Sequence, residues 1–125
     1  FFEDMAPLYR QADLVICRAG ATTVAEIAVA GNAAVFVPFP HAADDHQRHN
    51  AAHLADAGAA EMILENDLQA AGLAEKIDYY RRHPEALAGM RDAMGRFARP
   101  EAAETIVDDI SALVETRKQK RNSRP

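Results

Sequence analysis

Two short runs near the start of the chain are apolar at every position rather than at alternate ones: Leu14-Val15-Ile16-Cys17 and Ala33-Ala34-Val35-Phe36-Val37. Such runs read as strands buried on both faces, which is the habit of a parallel sheet covered by helices. Between them, Thr23 to Ala30 reads as a helix, and Gly31-Asn32 supplies the left-handed stop expected at its end. Upstream, Asp4 to Ala12 reads as a short helix, with Asp4 as its cap and Pro7 tolerated near its start. Downstream, Asp44 to Gly58 reads as a third helix with an acidic start and a glycine stop, and Ala59 to Leu64 as a third strand. Asn66 is expected to cap a helical region through Tyr80, with Gly72 as a break. Pro84 opens a helix whose apolar face is Leu87, Met90, Met94 and Phe97. Pro100 opens the last one, with Ala103, Ile106, Val107, Ile110, Leu113 and Val114 on one face. The pattern predicts an α/β fold with a parallel sheet and flanking helices. Three strands are few for an open sheet of this kind, and the chain starts Phe1-Phe2-Glu3, so it reads as a piece of a longer protein lacking its first strands.

Composition changes this picture little. The 125 residues are 49% hydrophobic and 26% charged, without tryptophan, so the core is built from aliphatic side chains and methionine. The lone Cys17 lies in an apolar run and reads as inert core. No run of 18 apolar residues is present. Charge is more informative. Residues 117–125 hold five basic side chains and no acidic one, leaving nine basic against nineteen acidic in the other 116 residues, a net of −10. An acidic body argues against a nucleic-acid partner. The basic segment reads as a disordered tail.

Candidate chemistry gathers in the turn Arg18-Ala19-Gly20-Ala21-Thr22-Thr23. A strand, a glycine-containing turn and a helix start in succession aim free backbone N–H groups and the positive end of a helix dipole at one point, which suits a phosphate. This is neither the Walker nor the dinucleotide glycine pattern. A second loop, 38–45, also leaves a strand end for a helix start. In an open parallel sheet, ligands bind beyond the carboxyl ends of the strands, so one crevice lined by two helix dipoles is expected. Glu26, one turn into its helix, has two readings: a ribose-binding carboxylate, or the second half of a capping box Thr23-x-x-Glu26, which periodicity alone favours. Asp44-x-x-Gln47 is likewise a capping pattern, while His46 and Gln47 also suit sugar hydroxyls, with Asn50 on the same face. Arg18 meets either a phosphate or a carboxylate. His46, His49 and His53 invite a metal reading, but they lack the glutamate of a zinc protease helix and any cysteine pair, so a polar helix face is the plainer account. Spacing offers no general base.

The stretches Cys17-Arg18-Ala19-Gly20-Ala21-Thr22-Thr23-Val24-Ala25-Glu26-Ile27 and Val37-Pro38-Phe39-Pro40-His41-Ala42-Ala43-Asp44-Asp45-His46-Gln47-Arg48-His49-Asn50-Ala51 resemble the donor-binding signature of the MurG family. These are the N-acetylglucosaminyltransferases that convert lipid I to lipid II in bacterial peptidoglycan synthesis. The opening Phe1 to Met5 looks like the family's segment near the uracil. Specific motifs run from Phe1 to about Gly58 and the general pattern to about Val114. Ala19 stands where some relatives have serine, and His46 where some have glutamine.

The resemblance implies a Rossmann-like C-terminal half of a glycosyltransferase-B fold, with residues 1–116 as the UDP-GlcNAc-binding domain. It implies that the Phe2 backbone reads the uracil edge, with Met5 nearby. Ala21, Thr22 and Thr23 present N–H and hydroxyl groups to the diphosphate, and Gly20 and Arg18 count among the substrate-binding residues. Glu26 takes the ribose hydroxyls; His46, Gln47 and Asn50 form the GlcNAc wall. It further implies inverting transfer without metal or cofactor. The catalytic base and the lipid I site belong to another domain, and the whole protein sits peripherally on the cytoplasmic face of the membrane. The final helix would cross onto that other domain, leaving its apolar face open here. Two alternatives from the same residues are another UDP-GlcNAc transferase or epimerase of this fold, and a non-catalytic nucleotide-sugar-binding module.

Overall fold

The computed structural model describes the backbone of residues 4–122 and the side chains of residues 4–117. At its centre are three parallel strands in the order β1 (Leu14–Cys17), β2 (Ala33–Phe36) and β3 (Glu61–Met62). Leu14 pairs with Ala33 and Cys17 with Phe36, and Phe36 pairs in turn with Met62. All four residues of β2 are fully buried, as its unbroken apolar run requires. Pairing runs slightly past the strands: Val37 N–H donates to the Cys17 carbonyl at 2.8 Å and Ile63 N–H to the Phe36 carbonyl at 2.9 Å. The third strand is thus shorter than the 59–64 expected.

The described residues form six α-helices: α1 (Ala6–Gln11), α2 (Ala21–Ala30), α3 (His46–Asp56), α4 (Ala70–Arg82), α5 (Pro84–Gly95) and α6 (Ala102–Asn122). Successive residues of β2 face opposite ways. Ala34 and Phe36 join a core with Tyr9, Ile27, Leu54 and Met94, while Ala33 joins a smaller cluster with Tyr80 and Met90. The sheet is therefore packed on both sides.

Several helix boundaries differ from the sequence reading. α2 starts at Ala21, two residues early, with Gly20 in extended conformation (φ −65°, ψ 146°) as its N-cap. At its other end Gly31 is left-handed as expected (φ 66°). Asp4 does hold a helix start, accepting from Ala6 N–H at 2.9 Å, although Met5 occupies the cap position. The expected helix 44–58 is instead a 3-10 turn, Ala43–Asp45, followed by α3, because Asp44 and Asp45 are both left-handed (φ 50° and 54°). Aspartate is one of the few residues that tolerates that conformation. Asn66 lies in a second 3-10 turn (Glu65–Asp67), not at a helix cap, and α4 passes through Gly72 without a break.

In α5, Met90 and Met94 are buried as the spacing predicts. In α6, the apolar face from Ile106 to Val114 is exposed throughout, with Leu113 at 66%. The helix continues to Asn122, so the backbone from Arg117 to Asn122 is helical, and the rest of the basic segment lies outside the described residues. Among the described residues no helix is long and apolar enough to cross a membrane.

Candidate functional site

The loops that leave β1 and β2 meet at the carboxyl edge of the sheet, and three side chains tie them together. Arg18 donates through Nη1 to the carbonyls of Val37 and Pro38, both at 3.2 Å, and to Glu65 Oε2 at 2.5 Å. Its guanidinium carbon lies 5.5 Å from the centre of the Phe39 ring. Asn50 Nδ2 donates to the Ala19 carbonyl at 3.1 Å, holding the first loop against α3. Gln47 Oε1 accepts from Phe39 N–H at 3.0 Å, holding the second. Of the two partners open to Arg18, the structure shows the carboxylate, and it is Glu65.

Between these ties the N-terminus of α2 stands open. Val24 N–H is the first to bond back into the helix, to the Gly20 carbonyl at 2.9 Å. No side chain caps the helix. The N–H groups of Ala21, Thr22 and Thr23 at the head of the helix are therefore outside its internal ladder. Ala21 and Thr22 are exposed and Thr23 half-buried. A Cβ built on Gly20 would meet nothing within 4 Å, so the space beside that backbone is empty of protein.

The Thr23-x-x-Glu26 capping box does not form. With the helix beginning at Ala21, Thr23 lies inside its first turn and Glu26 in its second, too far along to reach the N-cap. Glu26 Oε2 instead accepts a hydrogen bond from the Tyr9 hydroxyl at 2.9 Å. Glu26 and Tyr9 line a groove of about 810 Å³ between α1 and α2, with Asp4, Met5, Arg10 and Val29. Met5 is 39% exposed at its mouth. Burial, helped by the Glu26 carboxylate, pushes the Tyr9 hydroxyl up to about 12. Phe2, the other residue expected near the base, lies outside the described residues.

Asp44-x-x-Gln47 forms no cap either; Asp45 takes the N-cap position of α3 without a side-chain hydrogen bond, and Gln47 reaches back to Phe39. His46 is exposed, and its Nδ1 lies 2.6 Å from the Ala43 carbonyl, a contact in which the ring nitrogen donates. His53 packs edge-on against Phe97. Among the described residues, no three His, Cys, Asp or Glu side chains are grouped so as to hold a metal ion.

The crevice thus brings together Gly20 to Thr23, Gln47 and Asn50, with Arg18 below. Glu26 and Met5 sit in the adjoining groove. Sequence reasoning passed over Tyr9, Asn32 and Glu65. Their partners lie 17, 23 and 47 residues away in the chain, so no local spacing signals them. A second groove, about 780 Å³, opens between β3, α4 and α5, where Lys76 and Tyr80 both bond to Glu61. It belongs to the opposite, amino edge of the sheet, where Gly58 leads into β3.

Residues 1–106 match the family model described as glycosyltransferase family 28 C-terminal domain. The chain is 50% identical over 110 residues to a protein of Trichlorobacter lovleyi, covering 88% of this chain and 29% of that one. It is 54% identical over 107 residues to one of Burkholderia cenocepacia, covering 85% and 28%. Both bear the name UDP-N-acetylglucosamine--N-acetylmuramyl-(pentapeptide) pyrophosphoryl-undecaprenol N-acetylglucosamine transferase. The crystal structure of Acinetobacter baumannii MurG superposes with a TM-score of 0.80 at 44% identity, over 90% of this chain and 32% of that one. The chain therefore spans less than a third of the length of each of these relatives. With the family model covering its strands, its crevice loops and most of its helices, the chain belongs to glycosyltransferase family 28, as its C-terminal domain.

Proposed function

We propose that this chain is the donor-binding domain of an inverting glycosyltransferase that moves GlcNAc from UDP-GlcNAc to lipid I, forming lipid II. The observation that carries the reading is identity near one half, running across the crevice loops, to proteins whose name states that transfer. The geometry supports it. The uncapped start of α2 offers backbone N–H groups and a helix dipole to a diphosphate, and the empty space beside Gly20 lets that group approach the backbone. The groove beside Glu26 and Met5 suits a nucleoside, with the carboxylate accepting from the ribose diol and Met5 against the base. Gln47, Asn50 and His46 place amide and imidazole groups where the sugar would emerge.

In this reading the acceptor hydroxyl attacks the anomeric carbon, the bond from that carbon to the diphosphate breaks, and UDP leaves. The chain's contribution is to stabilise charge developing on the leaving diphosphate with N–H groups already in place. The general base and the lipid I site lie in the remainder of the protein, which associates peripherally with the cytoplasmic face of the membrane.

The test is transfer of labelled GlcNAc from UDP-GlcNAc to lipid I by the full-length protein, alongside titration of UDP-GlcNAc into wild type and Glu26→Ala. Labelled lipid II, with donor binding weakened by Glu26→Ala, is expected. Donor binding without transfer to lipid I, or conversion of UDP-GlcNAc to its epimer, would assign the domain to another enzyme of the same fold.

A further inference from the structure

Tyr9 is held at three points. The residue is 7% exposed and belongs to the main core. Its carbonyl accepts from Asn32 Nδ2 at 2.9 Å, and the same amide donates to the Ala12 carbonyl at 3.0 Å, so the end of α1 is pinned to the turn after α2. Asn32 is itself 4% exposed. Its place is set by Gly31, whose left-handed backbone ends α2. The third point is the hydroxyl, which reaches Glu26 Oε2 at 2.9 Å.

Glu26 has no such support of its own. It is exposed, and a glutamate on a helix surface has three rotatable bonds and several rotamers of similar energy. Among the described residues its recorded hydrogen-bond partner is Tyr9. A hydroxyl donating to a carboxylate is a charge-assisted bond and favours the rotamer that makes it. It occupies one lone pair of Oε2, leaving the other pair and both pairs of Oε1 to accept two vicinal hydroxyls.

We propose that Tyr9 is the positioning residue that presents the Glu26 carboxylate to the ribose of the donor nucleotide. The inference rests on the ribose reading of Glu26 given above. Because burial and the carboxylate push its hydroxyl up to about 12, Tyr9 keeps its proton and stays a donor at neutral pH.

The test uses the full-length protein as wild type, Tyr9→Phe, Glu26→Ala and the double variant, titrated with UDP and with 2′-deoxy-UDP. Tyr9→Phe keeps the core ring and removes only the hydroxyl. It is expected to weaken UDP binding about tenfold, the scale of one hydrogen bond to a charged group. It is also expected to shrink the preference for UDP over the deoxy compound. The donor KM rises while kcat stays within about twofold, as when binding common to ground and transition states is lost. In the Glu26→Ala background the same change moves UDP binding by less than about twofold, because the two groups act as one.

Full additivity of the two losses, or equal loss of both nucleotides, would mean that Tyr9 acts through packing and would overturn the inference. So would wild-type UDP affinity in Tyr9→Phe when Glu26→Ala binds weakly, and that result would leave the ribose reading standing. Wild-type affinity in Glu26→Ala itself would remove the ribose reading and this inference with it.

Discussion

Asn50 on α3 donates to the carbonyl of Ala19, 31 residues earlier, across 3.1 Å. This bond fixes the backbone just before Gly20 and so sets where the first N–H groups of α2 point. Ala19 is fully buried, so its carbonyl has few other ways to be satisfied. Asn50→Ala is expected to cost about 1 kcal/mol in urea unfolding, the usual net value of one such bond. Its effect on UDP-GlcNAc binding is expected to be larger, about tenfold by calorimetry, because a displaced phosphate loop loses several contacts together. Unchanged affinity with reduced stability would make Asn50 a fold residue without bearing on the crevice.

Arg18 is shared between two tasks. Its bond to Glu65 at 2.5 Å joins side chains that are 47% and 41% exposed, and such pairs contribute no more than about 1 kcal/mol. On the proposed function, a diphosphate arriving at α2 would compete with Glu65 for the same guanidinium. Glu65→Gln should therefore tighten UDP binding about two- to fivefold at low salt, with the gain fading at high salt as screening grows. Calorimetry at two ionic strengths checks it. Equal affinity in both proteins would show that Arg18 remains a tie between loops when nucleotide is bound.

The parts of the fold legible in the sequence are those with local causes. β1 and β2 are continuous apolar runs, and Gly31 ends α2 because only a left-handed residue closes the helix there. Misreadings arose where a local pattern was outbid by a distant partner. Thr23 and Glu26 have the right types and spacing for a capping box, yet the chain enters the helix two residues early and Glu26 meets Tyr9. Gln47 fits a cap and bonds Phe39 instead. β3 is cut to two residues, Glu61 and Met62, opposite Val35 and Phe36; Ala59 N–H instead bonds back to the Leu54 carbonyl in the stop of α3, so the strand starts late. The resemblance to a family singles out the crevice residues as donor ligands; the bonds that Glu26, Gln47 and Asn50 make in this structure have no local signal.

Stability should depend on pH through Glu61. Burial opposes its ionisation, but hydrogen bonds from Lys76 and Tyr80 outweigh that and hold the carboxyl below its usual 4.5. A carboxyl lowered in the folded state stabilises it above the unfolded value, and that contribution is lost as pH falls through the folded one. Glu61→Gln is therefore expected to lower Tm at pH 7 and to flatten the loss of Tm below about pH 4.5. Tyr9 contributes to the alkaline limb: raised from 10 to about 12, it stabilises the fold up to pH 10 and ceases to do so between 10 and about 12. Cys17, which burial pushes up to about 11, and Tyr80, raised by burial and by Glu61, add to the same limb, so Tyr9→Phe should flatten only part of it. Thermal melts across both ranges measure the two together.

Gly20 separates what the fold needs from what a ligand needs. Its φ of −65° is open to any residue, and an added Cβ meets no protein atom within 4 Å. Alanine is a poorer N-cap than glycine, a loss of under about 1 kcal/mol, while replacing glycine stiffens the unfolded chain and returns about 0.4–1 kcal/mol. Gly20→Ala is thus expected to unfold at nearly the same urea concentration as wild type. A methyl group at that point would nonetheless stand where a phosphate must approach the N–H groups of Ala21 to Thr23. UDP-GlcNAc should bind at least about tenfold more weakly, the loss expected when even one charge-assisted bond to those N–H groups is broken. Unchanged stability with weakened binding would place the diphosphate at the head of α2. Unchanged stability with unchanged binding would place it elsewhere and return Gly20 to an incidental residue of the turn.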